Sequence, residues 1–171
     1  MSSIKISDDC LHPERYVYLK YSGPDPWGVV GRISERIRPF FHVSSSGTNQ
    51  TRINWDDSGD PIWYFSTWWV KKSLSDYSNM LIHIKVIGNK SKTTNTGEFT
   101  MAIWGYVQTE FSGWAVFLKP IYIIYSYLFY HRLRRKFIEI CRNYIMNFRN
   151  EIKEHFNLEK TDVPMSYGSY G

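Results

Sequence analysis

The feature that most restricts the fold is a series of strand-like runs separated by turn residues. The runs are TRINW (51–55), IWYFSTWWVKK (62–72), MLIHIKVIG (80–88) and EFTMAIWGYVQTEF (98–111). The segments between them, DDSGDP, SLSDYSN and NKSKTTNTG, are rich in Asp, Asn, Ser and Gly, which are the residues that turns favour. Because short connections join neighbouring antiparallel strands, the pattern predicts an antiparallel meander.

Residues before the meander predict one further strand and a short helix. RYVYLKYS (15–22) alternates, with Tyr16, Tyr18 and Lys20 on one face, as a strand does. The helix should begin near Pro26 and end or kink at Pro39. Its apolar stripe repeats at helical spacing and comprises Val30, Ile33, Ile37 and Phe40.

A long helix is predicted after the meander, over residues 121–156. Its apolar positions recur every three or four residues, as expected for a helix that packs one face on a core. They are Phe137, Ile140, Tyr144, Phe148, Ile152 and Phe156.

The order β-α-β-β-β-β-α predicts an α+β fold, with a curved antiparallel sheet that holds helices on one face. This order resembles the arrangement of TATA-box-binding-protein-like domains and, more loosely, the helix-grip folds of START-type lipid carriers. The resemblance is one of topology only, so it implies a fold and no particular activity. We expect a polar lead-in at 1–14, a single domain at 15–158 and a disordered tail at 159–171.

The sequence shows no catalytic, metal-binding or cofactor-binding signature. The five histidines are scattered, the segment 88–97 lacks the order of a phosphate-binding loop, and no nucleophile elbow occurs. We therefore expect a non-catalytic protein without metal or cofactor, although an enzyme stays an alternative. Two cysteines are too few for a disulfide framework, and with the absence of an apolar leader-like run at the N-terminus they predict a cytoplasmic location, with peripheral membrane association as a variant.

The aromatic content of 18% is the strongest functional signal. On the third strand, aromatic side chains occupy both faces, so one face needs a purpose besides the core. The candidate purposes are stacking bases, lining a cavity and contacting another chain. The structural alternative is that Trp and Tyr, with their polar tips near the surface, only complete an ordinary sheet. The predicted ligand-binding residues are Trp63, Phe65, Trp68, Trp69, Trp104, Tyr106, Tyr122 and Tyr125.

An uncharged aromatic run at 121–130 is followed directly by basic residues. The run of about ten residues is too short to span a bilayer, which needs roughly twenty. Residues 132–160 hold eight Lys/Arg and four Asp/Glu, a net charge of +4 out of the chain's +5. The predicted phosphate or lipid contacts are Arg132, Arg134, Arg135 and Lys136; the alternative is that they mark where a buried helix becomes solvated.

Together these observations predict a binding module that holds a hydrophobic small ligand or a partner chain through the aromatic sheet face and the 114–130 segment. A homodimer through 114–130 is expected, because an apolar surface on all sides exceeds what one sheet face can cover. The rivals are nucleic-acid binding through the basic helix and aromatic sheet, and association with an anionic membrane. The first rival is weakened because the strands are not visibly lined with Lys and Arg.

Overall fold

A computed structural model of the chain describes residues 3–112, 124 and 131–161. The strands in chain order are β1 (Ser3–Asp9), β2 (Val17–Pro24), β3 (Thr48–Asp56), β4 (Ile62–Ser73), β5 (Ser78–Lys90) and β6 (Thr96–Ser112). Helix α1 (Gly28–Phe41) lies between β2 and β3, and helix α2 (His131–His155) follows β6. The fold is therefore α+β, as the sequence predicts.

The strands form one antiparallel sheet in the order β1-β6-β5-β4-β3, and β2 also pairs with β6. β1 and β2 lie end to end along the same edge of β6, with Asp9 opposite Tyr106 and Val17 opposite Ile103. The meander from β3 to β6 confirms the prediction from the turn residues. β1 was not predicted, because its residues fall within the expected polar lead-in.

Alternation along the strands gives the sheet one buried face. On β6, Thr100, Trp104, Tyr106 and Gln108 lie on one face, while Phe99, Met101, Ile103 and Val107 are buried on the other, as the sequence predicts. Their buried neighbours on the other strands include Leu19, Trp68, Ile82, Ile84 and Val86. We call this side of the sheet the inner face, because both described helices pack on it.

Helix α2 presents a continuous apolar stripe to the inner face. Of the predicted stripe, Phe137, Tyr144, Phe148 and Ile152 are buried, and Ile140 and Phe156 are half-buried. Helix α1 packs beside α2 through Phe41, whose ring centroid lies 5.1 Å from that of Phe148. Pro39 does not end α1, which was one of the two predicted outcomes; it lies inside the last turn, and the helix ends at Phe41.

A disulfide bond ties α2 to the sheet edge. Cys10, just after β1, is bonded to Cys141 of α2, and both residues are fully buried. Arg142 supports the same junction by donating hydrogen bonds to the carbonyl oxygens of Cys10 (3.2 Å) and His12 (2.7 Å). This bond is not predicted from the sequence, in which two cysteines are too few to indicate a disulfide framework.

Among the residues that the structure describes, no helix combines the length and the apolar composition needed to cross a membrane.

Candidate functional site

The side of the sheet opposite the helices, which we call the outer face, carries most of the predicted aromatic site. Cross-strand partners share a face, so the register places Trp63, Phe65 and Trp69 of β4 on the same side as Trp104 and Tyr106 of β6. Within the described residues, none of these side chains belongs to the core cluster that the helices cover. The outer face is thus an aromatic surface separate from the core.

A row of rings crosses the outer face from β4 to β2. Trp69 pairs with His83 of β5, and His83 pairs with Trp104 of β6. The His83 and Trp104 rings are stacked with their centroids 5.2 Å apart, and Tyr16, just before β2, meets Trp104 edge to face at 5.4 Å. Burial among these rings lowers the pKa of His83 below its usual value of 6.5, because an apolar environment disfavours the charged imidazolium.

Cationic side chains lie between the aromatic rows. Arg52 of β3 and Lys85 of β5 are the cross-strand partners of Thr67 on β4. Their row therefore lies between the row of Phe65 and the row of Trp69. The Arg52 guanidinium lies 5.9 Å and the Lys85 ammonium 5.5 Å from the centroid of the Phe65 ring, within the range of cation–π attraction. The expectation that the strands lack Lys and Arg is therefore wrong for this face, on which Lys20 and Lys71 also lie by register.

An open groove lies at one end of the outer face, next to the first residues of β4. It has a volume of about 590 Å³, and its lining includes Trp63, Ile87, Glu98 and Lys20. A second groove of about 650 Å³ adjoins it and shares Trp63 and Ile87. Trp63 is 52% exposed and Ile87 42% exposed, so both large apolar groups are available for contact.

The structure separates some predicted site residues from this surface. Trp68 lies on the inner face and is only 2% exposed, so it belongs to the core and not with the other aromatic residues. Tyr122 and Tyr125, and with them nearly all of the 114–130 segment, lie outside the described residues.

The four residues of the predicted basic block on α2 lie in different surroundings. Arg134 donates from Nε to Asp8 Oδ2 of β1 at 2.9 Å and from Nη2 to the other carboxylate oxygen, and this pairing raises the pKa of Arg134. Arg132 and Arg135 are exposed, and Lys136 is half-buried. Arg134 thus forms an ion pair that links α2 to β1, and only part of the basic block faces solvent.

The centre of the interface between α2 and the inner face is tightly packed. A Cβ atom added at Gly105 of β6 would lie 3.2 Å from Ile145 Cδ1 of α2, 3.1 Å from Ile82 Cγ1 and 2.9 Å from the Leu81 carbonyl oxygen. Because the helix approaches the strand this closely, this part of the interface has no room for a ligand. The outer face is the better candidate for the binding surface.

Sequence reasoning missed the charged part of the site for a specific reason. A β-bulge lies between Gln50 and Arg52, and it shifts the alternation of β3 so that Arg52 points to the outer face. Lys20 was recognised as sharing a face with Tyr16 and Tyr18, but its neighbours on other strands follow only from the register. Lys20 joins the other residues of the outer face only because β2 pairs with β6, the last strand of the meander.

Comparison with known proteins identifies no family. No protein-family model matches the chain, and no curated protein matches it. Among solved structures, the Mll3558 protein from Rhizobium loti shares 12% sequence identity, with 66% of this chain and 85% of that chain covered and a TM-score of 0.16. A putative uncharacterized protein from Rhizobium leguminosarum shares 11% identity, with coverage of 70% and 91% and a TM-score of 0.19. Likeness at this level carries no argument about fold or function.

Proposed function

We propose that the protein is a non-catalytic binding module and that its outer face is the binding surface. The observation that carries this proposal is the set of aromatic side chains that share that face away from the core: Trp63, Phe65, Trp69, Trp104 and Tyr106. Trp63 is 52% exposed and the other four are half-buried, and an aromatic patch of this kind away from the core is typical of an interaction surface.

The chemistry of the face indicates the kind of group that it holds. Trp and Tyr rings supply rigid stacking area at a low cost in conformational entropy. The neighbouring Arg52 and Lys85 favour an anionic group close to a stacked ring. A flat apolar group that carries negative charge satisfies both features.

The dye 1-anilinonaphthalene-8-sulfonate, a fused ring system with one anionic group, tests the proposal directly. We expect its fluorescence to rise with the folded protein and the increase to fall strongly in Trp63→Ser and in Trp63→Ser/Trp104→Ser. The control Tyr77→Ser/Leu133→Ser removes exposed apolar side chains from the β4–β5 turn and from α2. Circular dichroism verifies that each variant is folded, and the single variant at the exposed Trp63 guards against unfolding of the double variant. An equal loss in the control, or no increase with the wild type, would refute the outer face as a binding surface.

Self-association through 114–130 stays part of the proposal, and it concerns residues outside the described ranges. Sedimentation at increasing concentration tests it. A dimer would support that segment as an interface between copies, whereas a strict monomer would leave the outer face as the proposed contact with partners.

The cytoplasmic location expected from the sequence has its own test. Disulfide bonds such as Cys10–Cys141 persist mainly in oxidising compartments, so this bond argues against that expectation. Alkylation of the thiols in freshly lysed, denatured cells would modify both cysteines if the protein resides in a reducing compartment. Protection until reductant is added would place it in an oxidising one.

A further inference from the structure

The rings of the outer face follow two directions. Trp63, Phe65 and Trp69 succeed one another along β4, and six residues of strand from Trp63 to Trp69 span about 20 Å. The second direction is the row Trp69, His83, Trp104 and Tyr16, which crosses strands about 4.8 Å apart. Along β4 the rings are about 7 and 13 Å apart, which suits a ligand whose own flat rings are joined by a flexible backbone. In the cross-strand row, the His83 and Trp104 rings already cover one face of each other.

The positive charges are placed between those rings. The row Arg52, Thr67, Lys85 lies between the row of Phe65 and the row of Trp69, and Lys20 lies in line with Phe65 through Ile87 and Thr100. The acidic residues Asp56 and Glu98 occupy the row of Trp63 near one end of the face, and Asp9 and Glu110 lie toward the other end, opposite or beyond Tyr106. The centre of the aromatic surface is therefore cationic.

This alternation disfavours two other occupants. A membrane surface would have to receive the apolar rings, and their insertion would bury Arg52 and Lys85 along with them, at a high desolvation cost. A second copy docked by the same face about a two-fold axis would set the cationic centre against itself. A chain of flat bases joined by anionic phosphates meets both the rings and the charges.

We infer that the outer face binds single-stranded nucleic acid, with bases stacked on Trp63, Phe65 and Trp69 and phosphates held by Arg52 and Lys85. This inference rests on the proposed binding role of the outer face and specifies its ligand. It also moves the expected nucleic-acid contact from the basic block of α2 to the sheet. Polar side chains on the same face, such as Asn54 and Asn89, supply hydrogen-bonding groups for base edges.

Fluorescence anisotropy with labelled oligo(dT) and oligo(U) of about 12 nucleotides, and with a duplex of equal length, tests the inference. We expect the single strands to bind more tightly than the duplex, and affinity to fall as salt rises from about 50 to 200 mM. Each phosphate contact contributes about 0.7 to the slope of log K against log salt for single strands, so Arg52→Gln/Lys85→Gln should lower the slope by about 1.4. Trp69→Ala should weaken binding about 5- to 150-fold, in line with the loss of one stacked base. Trp63→Ala, at an exposed position, provides a second stacking variant if Trp69→Ala does not fold.

The matched control is Arg132→Gln/Arg135→Gln, which removes an equal number of positive charges, two, from exposed positions of α2. The inference requires this variant to keep the wild-type slope and affinity within about twofold. It is overturned if α2 variants lose binding while outer-face variants keep it, if the duplex binds as well as the single strands, or if neither oligonucleotide binds at low salt.

The same variants separate failure of the inference from failure of the proposed function. Loss of dye fluorescence in outer-face variants without any oligonucleotide binding would retain the binding surface and reject nucleic acid as its ligand. Flotation with vesicles of phosphatidylserine and phosphatidylcholine in the absence of oligonucleotide binding would reject nucleic acid in favour of a membrane. Absence of both dye and oligonucleotide binding would reject both proposals.

Discussion

Phe148→Ala should be among the most destabilising single substitutions in the chain. Phe148 is fully buried on α2, and its ring centroid lies 5.1 Å from those of both Phe40 and Phe41 on α1. Truncation removes the transfer free energy of the ring, leaves a cavity and breaks both ring contacts. Substitutions of this kind cost about 3–5 kcal/mol of unfolding free energy.

Urea denaturation of the oxidised protein measures this loss. At a denaturant dependence of about 2 kcal/mol/M, a loss of 3–5 kcal/mol lowers the midpoint by roughly 1.5–2.5 M. Leu133→Ala is the control, because Leu133 is on the same helix and 37% exposed, and we expect it to change stability by about 0.5 kcal/mol or less. A loss below about 1 kcal/mol for Phe148→Ala would refute the packing of α2 against α1 and the sheet.

Three further predictions concern packing, the disulfide and pH. Gly105→Ala should destabilise the protein by about 1–3 kcal/mol, because the added methyl group would crowd α2. Gly31→Ala in α1, where nothing lies within 4 Å of an added Cβ, should stabilise the protein by about 0.5–1 kcal/mol. Equal effects of the two substitutions in thermal melts would contradict the close approach at Gly105. Replacing Cys10 and Cys141 with Ala removes a cross-link between residues 131 positions apart and should lower the free energy of unfolding by about 2–5 kcal/mol. The wild type with reductant should melt at the same temperature as the double variant. If neither treatment changes the midpoint of the melt, the bond does not form. Because burial holds the pKa of His83 below 6.5, its neutral form contributes stability that is present above pH 6.5 and lost as the pH falls below it; His83→Gln should flatten this decline, and a decline of equal size in the variant would exclude His83 as its source.

The parts of the fold that the sequence predicted are those governed by local pattern. The turn segments between β3 and β6 set the meander, and the helical spacing around Phe148 set the buried face of α2, because each depends on residues close together in the chain. β1 was missed for the opposite reason: it is short and polar, and its pairing of Ser3 with Ser112 spans the length of the domain. No local signal reports such a pairing.

The candidate site divides in the same way. Alternation alone separates Trp63, Phe65 and Trp69 from Trp68, so the aromatic half of the site was accessible from the sequence. The cationic half was not, because the direction of Arg52 depends on a bulge and the position of Lys85 beside Phe65 depends on the register of β4 with β5. A ring and a charge become one surface only when the strands are aligned.

The most direct test of the outer face is the indole N–H spectrum of the protein during titration with oligo(dT). The chain has seven tryptophans, and single substitutions assign each indole N–H signal to its residue. Binding at the outer face should shift the signals of Trp63, Trp69 and Trp104 while that of the buried Trp68 stays in place. Saturable shifts confined to tryptophans other than those three would contradict the account.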